Sequence, residues 1–475
     1  MKTLLISAIA VLAISARANW TCSVLWEDGN AYAVDGNVVV GSENWVGHGG
    51  YWHTSGYVHG HGGINSGYGS SYDYSVVTGV HDGQQVGFGT PGGNTRALMW
   101  TGSPGSMIVM QPAGWTDSHL EDVCAGRQVG SVYDNSNNVG HAGIWSGTAA
   151  SFQDLHPSGY GRSRAFGISI DAQVGDADGH AGLWYGTATS FVDLHPDGYD
   201  WSIAYDVSED QQVGRAAAPG TGVVAALWCG SAASFVSLHP AGAVESSATG
   251  VSGGQQVGEV DNHAAYWLGT AASHVDLHSY LPAGYTFSEA TDIWDNGDVT
   301  NIVGSAYDAV GGRAVMWTRQ NTNVPVVALD VVRGIVTQGG LSSIGVSDDI
   351  KLRMRPGIVF STMLSRILIQ VDGTSPDLNP SMLSLFIESG SSGGGAIEQM
   401  VRMYDFDANA YETIELRMMT VADKAVRLTI TDDPGRFVGP SGEVRAIAGY
   451  RALGPVFVYP WEVYVDRIRW VVPGT

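Results

Sequence analysis

The chain has 475 residues, of which 44% are hydrophobic and 15% charged, and it carries a formal net charge of −23. Residues 19–330 hold 7 Lys and Arg against 30 Asp and Glu, whereas residues 331–475 hold 14 against 16. An acidic surface of this kind repels phosphate backbones and anionic lipid, which argues against nucleic-acid and membrane partners. The change in charge balance near residue 330 predicts two domains.

Residues 1–18 have the layout of a secretory signal peptide. A charged start at Lys2 is followed by an apolar run from Leu4 to Ile14 and by the small-x-small end Ala16-Arg17-Ala18. The run is too short and wrongly flanked for a membrane anchor. We therefore expect a secreted, extracellular mature chain that begins at about Asn19, without membrane insertion.

A Val-Gly dipeptide returns seven times at a spacing of 39 to 46 residues, and a tryptophan follows each valine after 10 to 16 residues. This period matches one four-stranded blade of a propeller. The sequence therefore predicts an all-β fold with a seven-bladed β-propeller of about 44-residue repeats over residues 19–324. The tryptophans, which we expect to be structural residues between neighbouring blades, are Trp52, Trp100, Trp145, Trp184, Trp228, Trp267 and Trp317.

The fourth repeat shows four short β-type runs separated by Gly, Asp, Ser and Pro turn signals. They are Arg164–Ser169, Gln173–Gly175, Ala181–Trp184 and Ser190–Leu194. Small residues recur in the first run, as expected where inner strands converge. The fourth strand of the last blade is supplied either by Thr21–Trp26 or by the VPVVALD segment after Trp317. We favour the N-terminal segment, because it would clasp the ring with its own two ends and leave no open edge.

The succession HAGLW, DLHP, SxAxxIS and QVG resembles the HAF-type extracellular repeat of secreted bacterial proteins, over roughly residues 19–323. The resemblance implies a secreted repeat protein and carries no catalytic residues. This chain departs from it where glycine or alanine replaces phenylalanine, as at Gly143, Gly182 and Ala265. In residues 325–475, alternating runs such as MLSLFIES and AVRLTITDD predict an antiparallel β-sandwich domain. The ending GPV…YPW…VD…W loosely resembles C-terminal modules of large secreted bacterial proteins.

Histidines recur in pairs 15 residues apart, at the start of the third strand and the end of the fourth. The pairs are His141/His156, His180/His195 and His263/His278, and His239 is a fourth histidine at the later position. Because these strands are antiparallel neighbours, each pair should be close in space. Two interpretations remain. His156, His195, His239 and His278 are structural residues that bond to a serine of the first strand or to an indole, or else the pairs bind zinc.

The first repeat breaks the pattern with a Gly-rich segment that holds several histidines and tyrosines. It is a candidate ligand site through Tyr51, Trp52, His53, Tyr57, His59 and His61, and a candidate metal site through His48, His53, His59 and His61. Tyrosine faces suit sugar stacking, and histidine-rich tracts bind metals. An irregular loop is the alternative for this segment.

A divalent cation is a further candidate cofactor. Asp176-x-Asp178-Gly179 and Asp295-Asn296-Gly297-Asp298 place oxygens in tight turns, although neither has the distal Glu of a full calcium loop, and both also serve as plain turns.

No nucleophile elbow, zinc-protease motif or phosphate loop occurs in the sequence. The first hypothesis is a secreted, non-catalytic binding or scaffold protein that recognises glycan or a cell-surface protein through propeller loops. The alternative is a polysaccharide hydrolase or lyase at the channel mouth. That alternative requires non-repeating His, Tyr, Arg or Asp there, and the seven arginines of the repeats are few for a lyase of carboxylated sugars.

Overall fold

A computed structural model describes residues 20–43, 49–53, 58–60, 74–90, 94–220, 222–358, 364–393, 396–453 and 461–474, with backbone alone at 43, 49–53, 58–60 and 104. Strands and short 3-10 helices are its regular elements, and none of the residues so described forms an α-helix. The predicted all-β class is confirmed. The 3-10 helices are Pro104–Ser106, Ala149–Ser151, Ala188–Ser190, Ala232–Ser234, Ala271–Ser273, Leu277–Tyr280, Leu341–Ile344 and Pro434–Phe437.

Six antiparallel sheets are each built from four consecutive strands. In chain order they are β2 (Gly29–Asp35), β3 (Val38–Glu43), β4 (Gly49–His53) and β5 (Val58–Gly60); β6 (Ser75–His81), β7 (Gln84–Gly89), β8 (Arg96–Trp100) and β9 (Ile108–Val109); β10 (Asp117–Cys124), β11 (Arg127–Asp134), β12 (Val139–Trp145) and β13 (Gln153–Asp154); β14 (Ser163–Ile168), β15 (Gln173–Ala177), β16 (His180–Trp184) and β17 (Val192–Asp193); β18 (Trp201–Ser208), β19 (Gln211–Ala218), β20 (Gly222–Trp228) and β21 (Val236–Ser237); β22 (Ser246–Ser252), β23 (Gln255–Val260), β24 (His263–Trp267) and β25 (Val275–Asp276).

A seventh set of strands closes on the N-terminus. It holds β26 (Phe287–Asp295), β27 (Val299–Tyr307), β28 (Gly312–Pro325) and β1 (Thr21–Trp26), and β1 pairs antiparallel with β28. The N-terminal alternative is therefore confirmed. The C-terminal half of β28 instead pairs with β38 (Val463–Pro473), so that one strand belongs to both parts of the chain.

The first strands of the seven sets, here called the inner strands, are β2, β6, β10, β14, β18, β22 and β26. Each contacts the inner strand of the next set, and β26 contacts β2. The contacts therefore form a closed cycle. The fourth strands are shorter than the sequence predicts: in the fourth repeat, Ala188–Ser190 is a 3-10 turn and only Val192–Asp193 is a strand.

The repeated tryptophans lie between neighbouring sheets. Trp184, for example, shares a hydrophobic cluster with Val129 of the preceding repeat and Ala165 of its own inner strand. Trp100 and the five that follow it are 0 to 3% exposed, and Trp52 lies outside the described side chains. Burial of the ring, rather than an indole hydrogen bond, is what most of them share, because the N–H groups of Trp145, Trp184, Trp228 and Trp267 have no acceptor. Trp317 differs, because its indole N–H donates to Leu277 O at 3.0 Å.

The C-terminal region holds two further antiparallel layers. One is a five-stranded sheet, and the other is the part of a nine-stranded sheet that β28 joins to the repeats. Residues of both layers, such as Val371, Val401, Leu385 and Trp470, belong to one hydrophobic cluster. The remaining strands are β29 (Ala328–Arg333), β30 (Ile335–Gln338), β31 (Leu352–Arg355), β32 (Ile367–Thr374), β33 (Leu383–Ser391), β34 (Ile397–Asp405), β35 (Ala410–Met418), β36 (Lys424–Ile430) and β37 (Glu443–Ala452).

The C-terminal layers also contact the repeats through charged side chains. Arg427 of β36 forms an ion pair with Asp295 at the end of β26, and both side chains are buried. Arg469 of β38 forms an ion pair with Asp298. In the described ranges, no helix is both long enough and apolar enough to cross a bilayer.

Candidate functional site

Two kinds of loop meet on one face of the repeats. Asp178, in the turn between the second and third strands of the fourth repeat, accepts backbone N–H bonds from Gly161 at 2.6 Å and Arg162 at 2.9 Å, which precede the inner strand. Asp261 does the same for Val244 and Glu245. We call this side the loop face.

The paired histidines lie on the loop face, and the predicted proximity is confirmed. The rings of His141 and His156 stack with their centroids 4.0 Å apart and an interplanar angle of 8°. His180/His195 and His263/His278 stack at the same distance.

In the second histidine of a pair, such as His156, both ring nitrogens form hydrogen bonds within the repeat. Nε2 of His156 donates to Tyr160 O at 3.0 Å, and Nδ1 accepts from Ser163 Oγ at 2.9 Å. Ser163 Oγ in turn accepts the Ala142 N–H at 3.0 Å. His195 and His239 have the same set of partners, and His278 bonds to Ser288. Burial lowers the pKa of His156, His195 and His278, which keeps these rings neutral. The arrangement fits a hydrogen-bonded connection between strands, and it leaves no ring nitrogen of His156, His195 or His239 for a metal.

The first-repeat candidates fall where the structure gives little or no description. Tyr51, Trp52, His53 and His59 lie on β4 and β5, for which the backbone alone is described. His48, Tyr57 and His61 lie outside the described residues. Ligand and metal binding by this segment stay predictions.

Residues that do not repeat line the loop-face end of the inner strands. In each inner strand, one residue pairs with the glycine of Val-Gly on the second strand. The residue before it pairs with the residue that follows this glycine. The seven pairs are all different: Asn30–Ser42, Val76–Phe88, His119–Ser131, Arg164–Asp176, Ile203–Arg215, Ser247–Glu259 and Glu289–Ser305. Neighbouring positions, by contrast, keep Val-Gly in every repeat and alanine in five of the seven, with Val77 and Leu120 in the other two. We call these pairs, with the bulged residues described next, the central cluster.

Every inner strand has a β-bulge shortly after the paired residue. The extra residue of each bulge lies beside these pairs. Bulges re-aim side chains and often lie next to functional sites. Three of the extra residues are threonines that bond to the neighbouring sheet, as Thr291 Oγ1 donates to Ala31 O at 2.9 Å. The other four are large or charged: Tyr32, Glu121, Phe166 and Tyr205.

One wall of the central cluster combines arginines with aromatic rings. Arg164 forms an ion pair with Asp176 at 2.9 Å and lies 5.1 Å from the centroid of Phe166. Phe166 meets Tyr205 of the next sheet edge-on at 5.6 Å. Arg215 lies 5.5 Å from the Tyr205 centroid and 5.4 Å from that of Trp201. Planar faces and cationic groups therefore alternate across two sheets.

The adjoining wall, on the second and third sheets, is aromatic with fewer charges. His119 lies between Phe88 and Tyr133, with ring centroids 4.6 Å and 5.5 Å away. Across the junction of the last and first sets, the Tyr307 hydroxyl donates to Asn30 Oδ1 at 2.8 Å.

Three carboxyl groups of the central cluster, those of Glu121, Glu259 and Glu289, have raised pKa values. Burial raises the pKa of Glu121 to about 7, against the opposing influence of Arg164. Burial also raises the pKa of Glu259 and of Glu289, and the two carboxylates are close enough for Glu259 to raise the pKa of Glu289 further. Burial lowers the pKa of His119. A carboxyl group that titrates near neutral pH is able to donate a proton.

Below the cluster, the residue after the bulge alternates between aspartate and glycine. In order of the sheets it is Ala33, Gly79, Asp122, Gly167, Asp206, Gly250 and Asp292. Oδ1 of Asp206 accepts the N–H of Val207 in its own strand, and Oδ2 accepts the N–H of Val251 in the next sheet at 2.8 Å. A Cβ atom on Gly167 of the preceding sheet would lie 2.8 Å from Asp206 Cα, so glycine is required there.

The two candidate calcium turns have protein partners instead. Asp176 pairs with Arg164, and Asp178 caps the loop before the inner strand. Asp295 pairs with Arg427 and accepts from Gln255 Nε2 at 2.7 Å. Asp298 pairs with Arg469. These oxygens act in turns and ion pairs.

No protein-family model and no curated protein matches the sequence. Solved structures with a similar shape include a family 29 carbohydrate-binding module, at 9% identity, 32% of this chain, 93% of that chain and a TM-score of 0.21. The xylan-binding module CBM15 matches at 12% identity, 32% and 97% coverage, and 0.21. The extracellular domain of a proposed one-component system from B. thetaiotaomicron matches at 7% identity, 75% and 52% coverage, and 0.43. At these identities and TM-scores, none of them transfers a function to this chain.

Proposed function

We propose that the seven sets of strands are the blades of a β-propeller spanning residues 19–324, followed by a β-sandwich over 325–475, and that the chain is secreted through the signal peptide at 1–18. The closed cycle of inner-strand contacts and the pairing of β1 with β28 support the propeller. The shared core of the two C-terminal layers supports the sandwich.

We further propose that this extracellular protein binds a glycan at the central cluster. The observation that carries the proposal is that seven register-equivalent pairs differ from sheet to sheet while their neighbours repeat. Packing alone would favour the same solution in every repeat. Small-molecule sites combine aromatic side chains with a few precisely placed polar groups, and the central cluster holds both kinds.

The chemistry of the cluster suits a sugar. Phe166 and Tyr205 offer flat faces on which the C–H groups of a pyranose ring can pack. Arg164, Asp176 and Arg215 supply fixed donors and acceptors for hydroxyl groups, and the arginines also suit a carboxylated sugar. This site differs from the first-repeat segment, whose contribution remains a separate prediction.

Binding of the mature chain to a glycan array, followed by calorimetry on the best glycan, tests the site. Replacing Tyr205 by alanine should weaken binding at least ten-fold, about 1.4 kcal/mol. The matched control is Tyr185→Ala, because Tyr185 is 53% exposed and follows Trp184 at the end of β16 that is remote from the loop face. A wild-type chain that binds no glycan, or equal binding by Tyr205→Ala, contradicts the proposal. Loss of binding only when Tyr51, Trp52 and His53 are replaced favours the first repeat instead.

A polysaccharide hydrolase or lyase remains the second candidate. Glu121 favours it, since a carboxyl group with a pKa of about 7 can act as a general acid. Cleavage of the bound glycan should then be lost in Glu121→Gln while binding is kept, and in the wild-type chain it should decline above about pH 7 as Glu121 ionises. Binding without any release of new chain ends decides for the non-catalytic function.

A further inference from the structure

Three aspartates of the C-terminal region converge at one place although they come from distant segments. Asp349 precedes β31, Asp423 precedes β36, and Asp466 lies on β38. One carboxylate oxygen of each lies within 4.8 Å of the other two. This cluster is remote in sequence from the repeats and takes no part in the central cluster.

The burial of Asp466 distinguishes the cluster from an ordinary acidic patch. Asp466 is 2% exposed, and its Oδ1 has no hydrogen-bond partner. Its Oδ2 accepts only a long bond of 3.3 Å from the Asp349 N–H. Oδ1 of Asp423 is also buried without a partner. A buried carboxylate without a counter-charge is strongly destabilising.

Lys351 compensates only part of this charge. Its ammonium bonds to Asp423 and lies 3.1 Å from Asp349 Oδ1. Among the described residues, no ion pair joins it to Asp466. The three carboxylates and one ammonium leave two negative charges around the unpartnered oxygens.

We propose that Asp349, Asp423 and Asp466 form a calcium site in the β-sandwich. Ca²⁺ takes oxygen ligands at about 2.3–2.6 Å, so ligands on opposite sides of one ion are about 5 Å apart, which the separation of these oxygens allows. The ion would satisfy the free oxygens of Asp466 and Asp423, and backbone carbonyls or water would complete its shell. Mg²⁺ demands a smaller, near-ideal octahedron and should bind more weakly.

Calorimetry with CaCl2 on the mature chain, freed of metals by a chelator, tests the site. We expect saturable binding of one ion and a rise in Tm of about 5 °C in excess calcium. Asp466→Asn should lose both effects. Without calcium it should unfold at the wild-type temperature or above, because the substitution removes an uncompensated charge.

Two further variants keep the test decisive. Asp349→Asn changes an exposed side chain and should weaken calcium binding at least ten-fold without unfolding the sandwich. Asp407→Asn, an exposed aspartate in the turn between β34 and β35, should bind calcium like the wild-type chain. Absence of calcium binding by the wild-type chain, or unchanged binding by Asp466→Asn, overturns the proposal.

Discussion

Asp122, Asp206 and Asp292 each join two neighbouring sheets through one carboxylate. Burial raises the pKa of Asp122 to about 7 and that of Asp206 to about 6, and burial and the neighbouring aspartates raise that of Asp292 well above its ordinary value. All three residues are only half-buried, so contact with solvent reduces the penalty of ionising them. Their charges therefore oppose folding at high pH while their hydrogen bonds favour it.

Stability should consequently depend on pH through these groups. A carboxyl group whose pKa is higher in the folded chain contributes stability that is present at low pH and is lost as pH rises through the folded pKa. For Asp206 this loss extends from about pH 4 to above pH 6. The Tm of Asp206→Asn minus that of the wild-type chain should therefore increase between pH 5 and pH 8 in thermal denaturation.

The comparison between the two chains cancels the opposite contribution of His156, His195 and His278, whose lowered pKa values weaken the fold below about pH 6.5. A difference in Tm that is flat with pH would show that Asp206 titrates normally in the folded chain.

At the scale of the repeat, hydrophobic periodicity and turn residues predict most strands but neither the bulges nor the central cluster. Strand spacing and the proximity of the paired histidines follow from positions within one repeat, whereas the N-terminal closure follows from the fourth strand that the last repeat lacks. A bulge adds a single residue to one strand, which no hydrophobic period reveals, and it decides where Glu121 and Tyr205 lie. The need for Gly167 depends on Asp206 in another sheet, so it cannot be read from either strand alone.

The predicted resemblance to HAF-type repeats can be compared with the packing around Trp145. Gly143 stands where that family is expected to have phenylalanine, and a Cβ atom there would overlap the Phe152 ring and lie 3.1 Å from the Trp145 ring. The Phe152 ring, from the turn before β13, packs against Trp145 at a centroid distance of 5.1 Å. A phenylalanine thus lies beside the tryptophan, although it comes from a different position of the repeat.

The hydrogen bonds that a serine forms with a histidine and a backbone N–H should contribute to stability. Replacing Ser202 by alanine leaves the Ala181 N–H and one nitrogen of His195 unsatisfied. A buried polar group without a partner costs about 1–3 kcal/mol, so urea denaturation should show a lower free energy of unfolding for Ser202→Ala. Ser158→Ala, at an exposed serine of the loop before β14, is the control and should match the wild-type chain. Equal stability of the two variants would contradict a structural role for the hydrogen bonds of Ser202.

At the scale of the whole molecule, β28 and the pair Arg427–Asp295 hold the repeats and the C-terminal layers together. Arg427 is 8% exposed, it also donates to Ser384 Oγ at 3.1 Å, and its charge contributes to a lowered pKa of Asp295. An interface built on a shared strand and a buried ion pair predicts that both parts unfold together.

The substitution Asp295→Ala should make the repeats and the C-terminal layers unfold in separate transitions. The substitution leaves the guanidinium of Arg427 buried without a counter-charge, at a cost of about 3–5 kcal/mol. Calorimetry should show one transition for the wild-type chain and a second, earlier transition for the variant. The double variant Asp295→Ala/Arg427→Met should recover part of the loss. Two separate transitions already present in the wild-type chain would contradict this coupling.

Aspartate and glycine alternate from one inner strand to the next, but the number of inner strands is odd. Two alternating states cannot close on an odd number of members, so seven inner strands must contain one mismatch. It falls at Ala33, which receives the carboxylate of Asp292 at Val34 N, 2.8 Å away, and offers none to the second sheet. The seven repeats are therefore not interchangeable. The mismatch marks the first sheet, where the chain begins and where the cycle of inner strands closes.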